Sequence, residues 1–184
     1  FDKVHELDGE NRHLVLLCEN ETGYHNLLAL VSKAWVEGFY SKPRVDLDLL
    51  REHHEGLIAL SACLAGEIPR ALTRGDYEGA RKAALRYEGI FGRGNFYLEL
   101  QDHGMAEQKR INPQLIRLSR ETGIPLVATN DCHYIAPEDS RMHRVLLCIQ
   151  TGRTIEDENA MEFGSEEFYF KSEEEMRALF PDVP

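Results

Sequence analysis

The segment Ala128-Thr129-Asn130-Asp131-Cys132-His133-Tyr134 sets a carboxylate and an imidazole two positions apart, directly after the apolar run Pro125-Leu126-Val127-Ala128. Side chains two apart in an extended chain share a face, so Asp131 and His133 can converge on one ligand. Carboxylate oxygen beside imidazole nitrogen suits a hard-to-borderline divalent cation. In parallel sheets, ligands bind beyond the carboxyl ends of the strands, where this segment falls. The competing reading is a polar turn that caps the next helix.

A second segment, Ser61-Ala62-Cys63-Leu64-Ala65-Gly66-Glu67, follows the apolar run Leu57-Ile58-Ala59-Leu60. A thiolate at Cys63 can ligate metal or act as a nucleophile. A small buried cysteine in a tight strand-to-helix turn is the plainer alternative. His13 precedes the run Leu14-Val15-Leu16-Leu17, a place where a lone histidine is ordinarily a surface residue. His103 follows Phe96-Tyr97-Leu98-Glu99-Leu100 and is a candidate for the same rim, or a turn residue before Gly104. Glu67 and Glu99 are further carboxylates near strand ends, with salt bridging as their default role. There is no phosphate-cradling glycine loop and no G-x-S-x-G elbow.

The elements that must position these groups alternate. The runs Leu14-Val15-Leu16-Leu17, Leu57-Ile58-Ala59-Leu60 and Pro125-Leu126-Val127-Ala128 are continuous, as expected of strands buried on both faces, and the aromatic-rich Phe96-Tyr97-Leu98-Glu99-Leu100 reads as a fourth strand. Between them, Leu27 to Trp35, Asp46 to His53, Ile68 to Leu72 and Tyr77 to Phe91 carry helical patterns. Asn112-Pro113 either opens a helix as cap and first residue, or sits within one that begins earlier. Pro137 opens another helix through His143 and Leu147. Gly152 to Glu167 reads as loop, Phe168-Tyr169-Phe170 as a short strand, and Ser172 caps a last helix ending near Leu179. This alternation predicts an α/β fold with mostly parallel strands, in one domain over residues 1–184.

Composition narrows the function. Acidic residues exceed basic ones, 32 to 21, for a net charge of −11. Tight nucleic-acid binding through phosphates needs clustered Lys and Arg, so the chain by itself is expected to bind DNA weakly. No apolar run approaches the ~18–20 residues of a membrane span, so no membrane partner is expected. Without a secretory leader at Phe1, Cys18, Cys63, Cys132 and Cys148 read as thiols of a reducing cytoplasm.

These segments resemble the PHP (polymerase and histidinol phosphatase) domain of bacterial DNA polymerase III alpha subunits. The resemblance rests on His13 to Leu27, Gly56 to Cys63, Phe96 to Gly104, Val127 to Tyr134 and Phe168 to Met176, in that order along the chain. It implies a distorted βα barrel, of which this chain is the part following the family's opening His-x-His motif. It also implies that His13, Cys63, Asp131 and His133 fall on ligand positions for divalent zinc or manganese, with magnesium as a further choice. His13 starts its strand whereas the others follow theirs, so its strand must enter from the opposite end for the four to converge. By the resemblance, the parent protein is a replicative DNA polymerase whose PHP domain has 3′-to-5′ exonuclease activity, and this piece alone is inactive. The implied partners are DNA through the whole polymerase and other replicase subunits, among them a separate proofreading exonuclease. Two alternatives stand beside this: a histidinol-phosphatase-like phosphoesterase, which should lack Thr22-Gly23-Tyr24 and the Phe168 to Met176 tail, and a non-catalytic module of the polymerase.

Overall fold

The four apolar runs become strands: β1 Val15–Cys18, β2 Leu57–Leu60, β3 Phe96–Leu100 and β4 Leu126–Ala128. In this computed structural model, which describes residues 11–157, 163–181 and 183, they form a four-stranded sheet in the order β1-β2-β3-β4. β2 and β3 are parallel, with Leu60 opposite Tyr97. The Leu98 N–H donates to the Pro125 carbonyl and the Thr129 N–H to the Leu100 carbonyl, stepping the same way along β3 and β4. β1 instead runs antiparallel to β2, from Val15 opposite Leu60 to Cys18 opposite Leu57. The fold is thus α/β with a mostly parallel sheet, as the sequence predicts.

In β2 and β3 one face is fully buried, through Leu57, Ala59, Phe96, Leu98 and Leu100, while on the other Leu60 and Glu99 are buried and Ile58 and Tyr97 half-buried, so burial on both faces holds in part. It fails for β1, whose Val15 and Leu17 are 37% and 49% exposed, because β1 stands at the edge of the sheet. β4, at the other edge, is also only partly covered.

The chain divides into two compact units, one running up to Glu99 and including Gln114–Val127, the other holding Leu100–Pro113 and everything from Ala128 on. In the first unit, α1 (Glu21–Val36) starts at Asn20, whose side chain accepts from the Gly23 N–H. Asp46 caps α2 (Leu47–Glu52) by accepting from the Leu49 N–H. α3 (Glu67–Thr73) packs against α4 (Tyr77–Phe91), burying Ile68, Leu72, Ala80, Ala84 and Phe91. Helix α5 (Ala106–Thr122) runs through Pro113. Asn112 is therefore not its cap, and its side-chain amide donates to the Gln101 carbonyl instead.

In the second unit, a 3-10 turn at Pro137–Asp139 leads into α6 (Ser140–Thr151). The expected strand at Phe168-Tyr169-Phe170 is only an isolated bridge between Tyr169 and Tyr134. Its aromatic residues favour extended chain, but they pair with a loop: the His133 N–H donates to the Phe168 carbonyl and the Phe170 N–H to the Ile135 carbonyl. Of the expected loop from Gly152 to Glu167, residues 158–162 lie outside those described. Ser172 and Glu175 form a capping box at the start of α7 (Glu173–Leu179). Cys18, Cys63, Cys132 and Cys148 are free thiols. Among the described residues, no helix is long and apolar enough to cross a membrane.

One close contact anchors the far end of the β1–β2 pair. The Glu19 N–H donates to the Gly56 carbonyl at 2.9 Å, and Gly56 holds φ +70°. A Cβ on Gly23 would lie 2.5 Å from the Gly56 carbonyl carbon and closer still to its oxygen. Alanine ordinarily improves on glycine in a helix by about 1 kcal/mol. Overpacking against backbone costs about 1–3 kcal/mol or more, because no rotamer change relieves it. We therefore expect Gly23→Ala to destabilise the protein by about 2 kcal/mol in urea unfolding. Gly89→Ala on α4, where a Cβ meets nothing within 4 Å, should stabilise it by up to about 1 kcal/mol.

Candidate functional site

The antiparallel sense of β1 brings the first pair of candidates together. Val15, at the start of β1, lies opposite Leu60, at the end of β2. The residues flanking these ends therefore meet. The His13 N–H donates to the Ala65 carbonyl at 3.2 Å, and His13 Nδ1 lies 3.6 Å from Cys63 Sγ. The strand of His13 does enter from the opposite end relative to that of Cys63, as the sequence reading required of it.

The turn that presents Cys63 is unusual. Ala62 adopts φ +64°, a left-handed conformation that favours glycine. Its N–H donates to Glu99 Oε2 at 2.9 Å, while the Glu99 N–H donates to Ser61 Oγ at 2.8 Å. The turn closes with the Gly66 N–H on the Cys63 carbonyl at 2.8 Å. A side chain at Gly66 would collide with the Ser61 carbonyl oxygen.

Glu67 has a different setting. Arg86 Nη2 contacts both of its carboxylate oxygens at 2.6 Å, and the Tyr87 hydroxyl donates to it at 2.8 Å. Burial and that bond push the Tyr87 hydroxyl up to about 12. Glu67 thus ties α3 to α4.

In the second unit, Asp131 Oδ1 lies 3.6 Å from His133 Nε2, with both side chains about one-third exposed, at 35% and 32%. Asp131 has φ +44°, again left-handed for a residue other than glycine. Around His133 stands an aromatic group that sequence reasoning did not single out: the rings of Phe163, His143 and Phe168 have centroids 4.5, 5.4 and 5.5 Å from its own. Burial, and then the neighbouring His133, hold the His143 imidazole below its usual range. The only sequence signal was a histidine on the helix that follows the Asp131-x-His133 segment.

His103 is buried, 1% exposed. Its backbone N–H donates to Gln108 Oε1 at 2.8 Å, which orients that amide so that Gln108 Nε2 donates to His103 Nδ1 at 2.7 Å. The imidazole proton then sits on Nε2 and is donated to the Asn130 carbonyl at 2.7 Å. Both ring nitrogens are occupied in this neutral form, so His103 offers no lone pair to a cation. It secures the carbonyl just before Asp131, and its ring stacks on Phe168 at 3.9 Å.

Each pair fits a divalent metal by the chemistry of its donors: thiolate sulfur with imidazole nitrogen in the first unit, carboxylate oxygen with imidazole nitrogen in the second. Each offers two donors, whereas tetrahedral zinc takes four. Among the described residues, no group of three or more His, Cys, Asp or Glu is placed to hold a metal ion.

Comparison with known proteins adds a family. Residues 2–103 match the PHP domain, a span that includes His13, Cys63, Glu67, Glu99 and His103. Asp131 and His133 lie beyond it. The chain is similar to the DNA polymerase III subunit alpha of Treponema pallidum, 49% identical over 100% of this chain and 16% of the relative. The subunit from Borreliella burgdorferi is 46% identical over 99% of this chain and 16% of the relative, and that from Thermus aquaticus 47% over 96% and 14%. The chain therefore spans about one-sixth of the length of these relatives.

The setting of His103 has a pH signature. Burial above all holds its pKa below the ordinary value, so the folded state binds fewer protons than the unfolded chain. Its contribution to stability is complete above the unfolded value of about 6.5 and is lost as pH falls from there toward the lower folded value. Between pH 7.5 and 5.5, the thermal midpoint of the wild type should fall further than that of His103→Gln. Parallel midpoint curves would show that His103 is not held neutral.

Proposed function

Since the chain belongs to the PHP domain family, we propose that it is the PHP portion of a bacterial DNA polymerase III alpha subunit, working in chromosome replication in the cytoplasm. The observation that carries this reading is the match along nearly the whole chain to alpha subunits at 46–49% identity. Nucleotide transfer would then be the work of the rest of such a polypeptide, with DNA and the other replicase subunits as partners.

Within that protein, His13, Cys63, Asp131 and His133 are the residues proposed to hold divalent metal, zinc or manganese before magnesium. The sulfur at Cys63 favours zinc. Bound metal would activate water and stabilise the departing oxygen of a phosphodiester, the chemistry of a 3′-to-5′ exonuclease. The chain's own part is to hold the thiol of Cys63 against His13 and the carboxylate of Asp131 against His133.

A second reading, a structural and docking module for other replicase subunits, is favoured by one observation. Tyr24, Leu28, Val31 and Trp35 recur at helical spacing on α1 and are each about half exposed, from 46% to 58%. A contiguous exposed apolar stripe is the kind of surface that marks a protein interaction site.

Metal analysis and digestion of single-stranded DNA from its 3′ end separate the two. The 184-residue chain should carry less than one equivalent of zinc or manganese and digest nothing. The whole alpha subunit should bind metal and digest. In it, Asp131→Asn should cut both metal affinity and rate by about tenfold or more, with little change in fold because the shape is kept. If the whole wild-type subunit binds no metal, or Asp131→Asn digests at the wild-type rate, the docking reading replaces the nuclease one. The chain alone should also bind duplex DNA weakly at physiological salt, given its charge of −11, which a fluorescence-anisotropy titration checks.

A further inference from the structure

A buried carboxylate needs a reason, and the structure supplies one for Glu99. The residue is 5% exposed and sits in β3, whose register with β2 is fixed by Leu60 opposite Tyr97 and by the Ser61 N–H on the Tyr97 carbonyl at 3.0 Å. Two residues further along β3, Glu99 therefore lies beside the chain as it leaves β2. It grips that chain twice: its N–H donates to Ser61 Oγ, and its carboxylate accepts from the Ala62 N–H at 2.9 Å. The second bond ties a side-chain oxygen directly to the main chain of that turn. It falls on the residue with φ +64°, a conformation that alanine leaves unless its surroundings fix it. The next residue is Cys63, with its sulfur 3.6 Å from His13 Nδ1.

We propose that Glu99 is a positioning residue: it holds Ala62 left-handed so that the Cys63 thiol faces His13. Glu99 is placed where it governs one backbone torsion next to one thiol. Released, Ala62 turns toward the extended region and Cys63 swings away from His13. The consequence for metal binding rests on the reading of Cys63 and His13 as ligands, but the positioning itself does not.

The test uses the full-length polypeptide in metal-free form and two readouts. One is the alkylation rate of Cys63 by iodoacetamide, followed by peptide mass spectrometry so that the other cysteines do not interfere. The other is the thiolate-to-metal absorption band on titration with cobalt(II). In the wild type, His13→Ala should change the Cys63 rate, because the two side chains touch. In the Glu99→Ala background the same His13 change should have no further effect, as a double-mutant cycle reads it, and cobalt affinity should drop by about tenfold or more. Glu99→Gln, which keeps an acceptor of the same shape, should restore both. If folded Glu99→Ala keeps the wild-type coupling between His13 and Cys63, the proposal is overturned. Where Glu99→Ala does not fold, Glu99→Asp decides, because it keeps the carboxyl group but withdraws the oxygen from Ala62. The proposal expects coupling to be lost there too, and wild-type coupling in Glu99→Asp refutes it. Should the wild type show no cobalt–thiolate band at all, the metal reading fails, and the alkylation cycle still settles the role of Glu99.

Discussion

The antiparallel pairing of β1 with β2 is the constraint from which the placement of His13 follows. β1 gains little from burial, since three of its four side chains, Val15, Leu17 and Cys18, are exposed. Its place depends on the ladder from Val15–Leu60 to Cys18–Leu57, where each hydrogen bond contributes only about 1 kcal/mol net. A short ladder of that strength would slip unless its ends were fixed. At one end, the Glu19 N–H and the Gly23–Gly56 contact set the register. At the other, the His13 N–H reaches the Ala65 carbonyl. A slip of one residue would turn every side chain of β1 to the other face and carry His13 away from Cys63.

Much of the fold is legible in the sequence because it is written locally. The bounds of α4, Tyr77–Phe91, follow from apolar periodicity between Asp76 and Gly92. The start of α7 follows from Ser172 and Glu175. Strand direction is not local: nothing in Leu14-Val15-Leu16-Leu17 says whether it runs with or against Leu57-Ile58-Ala59-Leu60. Phe168-Tyr169-Phe170 has the residues of a strand but finds only a loop to pair with. Pro113 lies within α5 because a helix tolerates one missing N–H where its other residues, among them Leu115 and Leu118, are buried.

The site was legible by residue type and not by role. Glu67 and Glu99 look alike in sequence, yet one binds Arg86, nineteen residues on, and the other the backbone of Ala62. His103 has the chemistry of a ligand, but Gln108 occupies one nitrogen and the Asn130 carbonyl the other. In both units, a residue with positive φ stands at a candidate ligand, Ala62 before Cys63 and Asp131 itself. Such conformations persist only where surrounding bonds over-determine them, and Glu99 and His103 supply bonds of that kind.

The contact between Gly23 and Gly56 also shapes how this chain can change by descent. Most tight spots in a core are negotiable, because a larger residue at one position is offset by a smaller one at its neighbour. Here both partners are already glycine, and although Asn20 Oδ1 also crowds Gly56, each would still meet main-chain atoms of the other within 3 Å, so no second substitution makes room for a first. The two positions are closed separately, not as an exchangeable pair. Drift across the surrounding surface leaves them untouched, and any lineage that fills either position must move α1 relative to the turn before β2.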